Sequence, residues 1–130
     1  MKALTICQPY AELIMRGEKP IENRTWPTRY RGPLLIHAGK SREWMDDDDY
    51  SLYPNLAFGA LVGAANLVAC LSLQYPSDPY NWPEQWKHLA DHEHANGPFC
   101  FVLENIRRFE VPIKCRGAQG LWVPVEVALA

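Results

Sequence analysis

The apolar positions of this chain fall into short runs broken by glycine and proline, and helical spacing appears only briefly between runs of strand character. Ala3–Cys7, with the β-branched pair Thr5 and Ile6, predicts a first short strand. Gln8–Gly17 predicts a helix, because Pro9 suits the first helical position, where an N–H is not needed, and Gly17 supplies a C-terminal stop. A strand carrying Glu22 and Arg24 follows, then a loop punctuated by Pro27, Gly32 and Pro33, then Leu34–Ala38 as a buried strand. Ser41 is placed to cap a short helix through Glu43, Trp44 and Met45, with Tyr50–Asn55 as an irregular excursion. Gly59–Leu73 reads as a long strand of small residues, bulged or bent at Gly63 and central to the sheet. Pro76–Trp82 reads as loop, and Pro83–His92 as an amphipathic helix with Trp86 and Leu89 on one side. Gly97 and Pro98 reset the chain before Phe99–Asn105 and Phe109–Ile113, read as two strand segments. A glycine-rich turn over Arg116–Gly120 then leads to a last strand, Leu121–Ala128.

About six short strands against two or three short helices predict an α+β fold, a small, mostly antiparallel β-barrel with the helices packed on it. A doubly wound dinucleotide fold is disfavoured, since strand and helix do not alternate and no G-x-G-x-x-G is present. With 130 residues, 48% hydrophobic and 22% charged, the chain is expected to form one domain over residues 1–130. The longest apolar stretch, Ala57–Leu73, contains Gly59, Gly63, Asn66 and Ser72 and makes a poor membrane span. The opening residues carry no signal-like apolar region with a small-residue cleavage site, so a cytoplasmic location is expected and no membrane partner.

Net charge is −2, so no global basic signature marks the chain as a non-specific nucleic-acid coater. Distribution says more than the sum. Between Arg16 and Arg42 there are seven Lys or Arg against two Glu, and the four acids Asp46–Asp49 follow directly. That acidic run reads as a solvated loop or helix end, because consecutive residues cannot all aim at one ion. Inside the basic stretch, GEKPIENR places Gly17, Lys19, Glu22 and Arg24 at fixed spacing, with Trp26, Arg29, Tyr30 and Arg31 just beyond. In an extended chain Glu22 and Arg24 project from one face. A guanidinium offers a rigid fork of donors to a phosphate or base edge, an ammonium a point charge, and Trp or Tyr a face for stacking. A surface ion pair between Glu22 and Arg24 explains the same spacing.

The four cysteines, Cys7, Cys70, Cys100 and Cys115, lie far apart with no C-x-x-C and no histidine at zinc-finger spacing, so zinc is not expected. They read as reduced and mostly buried, Cys100 between Phe99 and Phe101 most clearly. His88, His92 and His94 sit in a polar stretch without an H-E-x-x-H arrangement and read as the end of a surface helix rather than a metal site. His37, inside an apolar strand, reads as a structural histidine.

In these residues the chain resembles the ASCH domain, a family of the PUA-like superfamily of small β-barrels named for homology to a transcriptional coactivator. Gly17, Lys19, Glu22 and Arg24 match the family's G-x-K-x-x-E-x-R motif in full. Gln8-Pro9-Tyr10-Ala11 resembles its helix start, Arg31–Ala38 its strand after the R-G turn, and Phe101–Asn105, Pro112-Ile113 and Gly117–Trp122 its final strands. The stretch from Trp44 to Asn96 is not diagnostic. The resemblance implies a PUA-like barrel whose cleft beside the motif takes RNA, another nucleic acid or a nucleotide. Lys19, Glu22, Arg24, Trp26, Arg29, Tyr30, Arg31 and Lys40 are the expected binding residues, the cations for phosphate or base edges and Trp26 and Tyr30 for stacking. Trp26 reads equally as a residue that closes the barrel, and Trp122 as core.

The resemblance also reaches enzymes, and two hydrolytic alternatives use Lys19 and Glu22. One related branch is an amidohydrolase of N4-acetylcytidine that uses a lysine, a threonine three residues later and a distant glutamate. Here Glu22 stands at the threonine position, and Leu61–Cys70, where the glutamate is expected, carries no carboxylate. The other is a ribonuclease, the one case that calls for a cofactor, a divalent metal. For Lys19 to move a proton there it must be buried, since an ordinary lysine is too basic. A third alternative, of another class, is a protein-interaction domain in a regulatory complex, with partners the sequence does not name.

Overall fold

The structure is a computed structural model and describes residues 1–73 and 78–124. Residues 76 and 77 of the expected loop and positions 125–128 of the expected last strand therefore lie outside the described residues. The strands are β1 (Lys2–Ile6), β2 (Ile21–Arg24), β3 (Gly32–Ala38), β4 (Ala60–Ser72), β5 (Phe99–Lys114) and β6 (Leu121–Trp122); the helices are α1 (Tyr10–Met15) and α2 (Asp47–Leu52), with 3-10 helices at Asp78–Asn81 and Glu84–Asp91. One mixed sheet in the order β2-β5-β4-β3-β1-β6 holds every strand. β1 runs parallel to β3, and the other pairings are antiparallel. The sheet curls into a half-barrel, the α+β arrangement the sequence predicts. No helix among the described residues is long and apolar enough to cross a membrane.

Leu34, Ile36 and Ala38 pack with Leu4, Ile6, Ile14, Met15 and Phe101 in the main core. Leu35, between them, joins Ala3, Leu61 and Ala64 in a smaller core that Phe109, Ile113 and Trp122 cover. β3 is thus buried on both faces, which is why its sequence is a continuous apolar run rather than an alternating one. A third cluster, with Ile21, Cys100 and Val102 from the sheet and Trp82 and Leu89 from the 3-10 region, covers the β2–β5 end. Cys100 is buried as expected, whereas Cys7, Cys70 and Cys115 are only half-buried, and all four are free thiols.

Four local expectations need correction. Ser41–Met45 is not helical; the helix starts at Asp47, capped by Asp46 through reciprocal bonds with Asp49 (2.8 and 3.1 Å). The acidic run is therefore a helix start, where carboxylates meet the positive end of the helix dipole. Phe99–Asn105 and Phe109–Ile113 are parts of one strand, bent where Asn105 takes φ 52° and β5 gains a residue against β4. Residues 84–91 form a 3-10 helix instead of an α-helix. Among the described residues β6 holds Leu121 and Trp122, and Val123 and Pro124 lie outside it, proline having no N–H to offer a ladder.

Gly63 is a bulge, as expected, and its reason is tertiary. A Cβ there would run into the Arg107 carbonyl and the Met15 sulfur, so α1 can lie close on the sheet only at glycine.

His37 is a satisfied structural histidine. Trp122 Nε1 donates to Thr5 Oγ1 (3.1 Å), the Thr5 hydroxyl lies 3.2 Å from His37 Nδ1, and His37 Nε2 lies 2.8 Å from the Cys115 carbonyl. One direction of donation satisfies all three contacts: Thr5 to Nδ1, and Nε2–H to Cys115. Burial pushes the imidazole below its ordinary 6.5, against the opposing pull of the carbonyl. The unfolded chain then binds the proton more readily, so this contribution is complete above pH 6.5 and is lost as pH falls through the lower folded value. Denaturant titrations across this range should show stability dropping with acidification, and His37→Gln should shrink that drop. An unchanged pH dependence in the variant would contradict the assignment.

Candidate functional site

The site is built from the end of α1 onward. Gly17, at φ 78°, closes the helix in a Schellman turn, its N–H on the Ile14 carbonyl (3.0 Å) and that of Glu18 on Leu13 (3.0 Å). The chain reverses at once, and Lys19 comes back beneath the helix with its ammonium 5.8 Å from the centre of the Tyr10 ring. β2 then pairs with β5, Glu22 opposite Phe101 and Arg24 opposite Phe99. The strand period aims Glu22 and Arg24 the same way.

Lys19 is 3% exposed and Glu22 7%. The Lys19 ammonium donates to the Ile21 carbonyl and lies 3.1 Å from Glu22 Oε1. The other carboxylate oxygen takes Arg24 Nε (3.1 Å) and Nη2 (2.8 Å), while Nη2 also reaches the Thr5 carbonyl of β1 (2.8 Å). One carboxylate thus holds two cations, and the group ties α1, β2 and β1 together. Such a pair is costly to bury, and it is tolerated because its polar atoms are satisfied. Arg24 Nη1 has no partner among the described residues and remains to donate.

Opposite this group runs the segment 92–97, which Asn23 pins. Its Nδ2 donates to the His94 carbonyl (2.8 Å), and its Oδ1 accepts from the N–H of Asn96 (2.9 Å) and Gly97 (2.8 Å). His94 and Asn96 line the cleft as a result. Burial, reinforced by the nearby Lys19 charge, holds the His94 imidazole below its ordinary value. Cys7 lines the same cleft as a thiol pushed upward by burial and by Glu43, with Arg24 opposing.

An aromatic pair forms the remaining wall. Tyr10 and Trp44 stand with ring centres 6.5 Å apart and planes at 59°. Trp44 is 58% exposed, so its face is available. The volume of this open cleft is about 460 Å³, within the ~300–1,000 Å³ of sites for small organic ligands. Among the described residues, no three His, Cys, Asp or Glu side chains gather to hold a metal ion.

Of the eight expected binding residues, Lys19, Glu22 and Arg24 meet in this cleft and the others do not line it. Trp26 stacks edge-on against Phe101 (5.2 Å, 79°) and packs on the main core. The Tyr30 hydroxyl donates to the Pro33 carbonyl, and Lys2 lies 5.8 Å from its ring. Arg31 spends Nη1 on the Thr28 and Tyr30 carbonyls (3.0 and 2.8 Å). Arg29 is exposed on the same loop. Lys40 borders a separate cavity. Sequence reasoning did not place Tyr10, Trp44, His94 or Asn96 here. Only Tyr10 had a local signal, in the Gln8–Ala11 helix start; His94 arrives through a bond from Asn23 spanning 71 positions.

The comparisons with known proteins agree with this geometry at the level of fold and family. Activating signal cointegrator 1 of Homo sapiens is 28% identical over 140 residues, covering 92% of this chain, and that of Mus musculus is 27% identical over the same coverage. The chain spans only 21% of the length of either relative. Among solved structures, ASCH from Zymomonas mobilis superposes with a TM-score of 0.56 at 18% identity, covering 96% of this chain and 88% of that one. The model of the ASCH domain matches residues 4–113. Motif, sheet order and these matches lead to one conclusion: the chain belongs to the ASCH domain family.

Proposed function

We propose that this domain binds single-stranded nucleic acid, RNA foremost, by admitting one nucleotide to the cleft between the Lys19–Glu22–Arg24 group and the Tyr10–Trp44 pair. The observation that carries the reading is the placement of an exposed aromatic face across a nucleotide-sized cleft from a guanidinium with a spare donor edge. Two cations against one carboxylate leave the polar wall with an excess positive charge, suited to phosphate or to base carbonyls. A base stacks on Trp44, while Arg24 Nη1 and the remaining Lys19 proton supply donors. His94 and Asn96 stand where they would read the base edge.

The test is labelled single-stranded RNA titrated across a salt series, with the products analysed afterwards. Affinity should fall steeply with salt, and Trp44→Ala should weaken binding about five- to ten-fold, the lower part of the ~1–3 kcal/mol of one stacked base, since the ring is already half in water. Absence of binding at low salt would end this reading. The direct contact of Lys19 with Glu22 (3.1 Å) supports a second one, hydrolysis of the bound strand with this pair moving the proton. Cleavage in the same tube, with or without Mn²⁺, that disappears in a folded Lys19→Ala variant would establish it. Intact RNA would exclude it.

A further inference from the structure

A second cavity, of about 400 Å³, is bordered by Thr5, His37, Lys40, Arg116, Gly117 and Gln119. Among the described residues no carboxylate lines it, and neither Lys40 nor Arg116 has a hydrogen bond or ion pair. Both cations are exposed and border the same cavity, so an anion there is attracted by both.

The rim is constructed rather than incidental. The Lys40 stem lies along Gly59, where an added Cβ would stand 3.1 Å from its Cγ and Cε. Gly59 in turn bridges two strand ends, donating to the Ala38 carbonyl (2.7 Å) and accepting from the Cys115 N–H (3.2 Å). Lys40 and Arg116 are therefore brought to one place by the ends of β3 and β5. Gly117 seats the loop: a Cβ there would come within 2.6 Å of Thr5 Oγ1 and 2.7 Å of His37 Cε1. Without a side chain at that position, the backbone lies directly against the sheet and carries Arg116 to the opening.

Thr5 borders both cavities. Its carbonyl accepts from Arg24 in the first, and its hydroxyl bonds His37 beneath the second. The two cavities thus share one residue of β1, which makes them neighbours.

The geometry points to a second anion site, formed by Lys40 and Arg116, that takes a phosphodiester group flanking the nucleotide in the main cleft. This inference rests on the nucleic-acid reading above and adds a direction to it: the strand leaves the cleft across Thr5 toward the 116–119 loop. The experiment compares the parent, Lys40→Gln/Arg116→Gln, the charge-keeping Lys40→Arg/Arg116→Lys and Trp44→Ala, each titrated with the same mixed-sequence single-stranded RNA over a salt series.

The neutral double variant should bind about ten-fold more weakly at low salt, with the slope of log K against log salt reduced by about 0.7 for the lost phosphate contact. The charge-keeping variant should retain the parental slope. Both altered side chains are exposed, so melting temperatures should match the parent. If the parent binds and Trp44→Ala weakens it while the neutral variant keeps the parental slope and affinity, the second site is refuted and the cleft reading stands. If the parent fails to bind RNA, both fall together.

Discussion

Glu22→Gln lowers the stability of this domain by about 3–5 kcal/mol, the expected cost of removing one partner from a buried ion pair and leaving the other uncompensated. The carboxylate accepts from both Lys19 and Arg24. An amide keeps part of the hydrogen bonding and loses the charge that made burying Lys19 tolerable. Lys19, with its side chain only 4% exposed, has too little water around it to solvate an uncompensated charge. Chemical denaturation with an unchanged m-value is the measurement, since an altered slope would signal a changed unfolded or native state instead. Lys19→Met combined with Glu22→Gln should recover a large share of the loss, because the uncompensated ammonium is then gone. A loss below about 1 kcal/mol for Glu22→Gln would place the group among surface pairs.

Arg24→Lys, which keeps the charge, weakens RNA binding about 10- to 150-fold, matching the ~1.5–3 kcal/mol of a hydrogen bond to a charged group. Arg24 holds Glu22 Oε2 and bonds the Thr5 carbonyl while its Nη1 has no partner among the described residues, which under the proposed function is the edge a ligand would take. A planar fork can do this because its donors diverge in fixed directions, whereas an ammonium in the same place must give up one task. Arg29→Ala and Arg31→Ala, on a loop that does not line the cleft, should alter affinity only through screened charge, far less than Arg24→Lys. The titration therefore compares variants at one salt concentration. Equal loss at Arg24 and Arg31 would show that charge density, not the guanidinium fork, provides recognition.

The motif was legible because its logic is local. A glycine stop, a two-residue strand period and opposite charges at short spacing place Lys19, Glu22 and Arg24 together whatever the rest of the chain does. The same local reading offers the loop aromatics Trp26 and Tyr30 for stacking, Trp26 equally as a barrel-closing residue, and neither lines the cleft. Trp26 faces Phe101, a partner 75 positions away that no spacing rule exposes. The 3-10 geometry of residues 84–91 was hidden similarly, since its amphipathic pattern fits an α-helix equally well.

What the sequence by itself determined is the place of most strands with their glycine and proline boundaries, the buried β3 and the charged group at Gly17–Arg24, all consequences of residue type and near-neighbour spacing. Only the tertiary structure decided that Tyr10 and Trp44 would face that group, that Asn23 would bring His94 and Asn96 alongside it, and that Lys40 and Arg116 would border one cavity. Those meetings depend on strand pairing between distant segments, on a bulge at Gly63 and on the seating of Gly117. Sheet pairing joins residues by register rather than by proximity in the chain, so the contacts that complete the site have no local pattern to announce them.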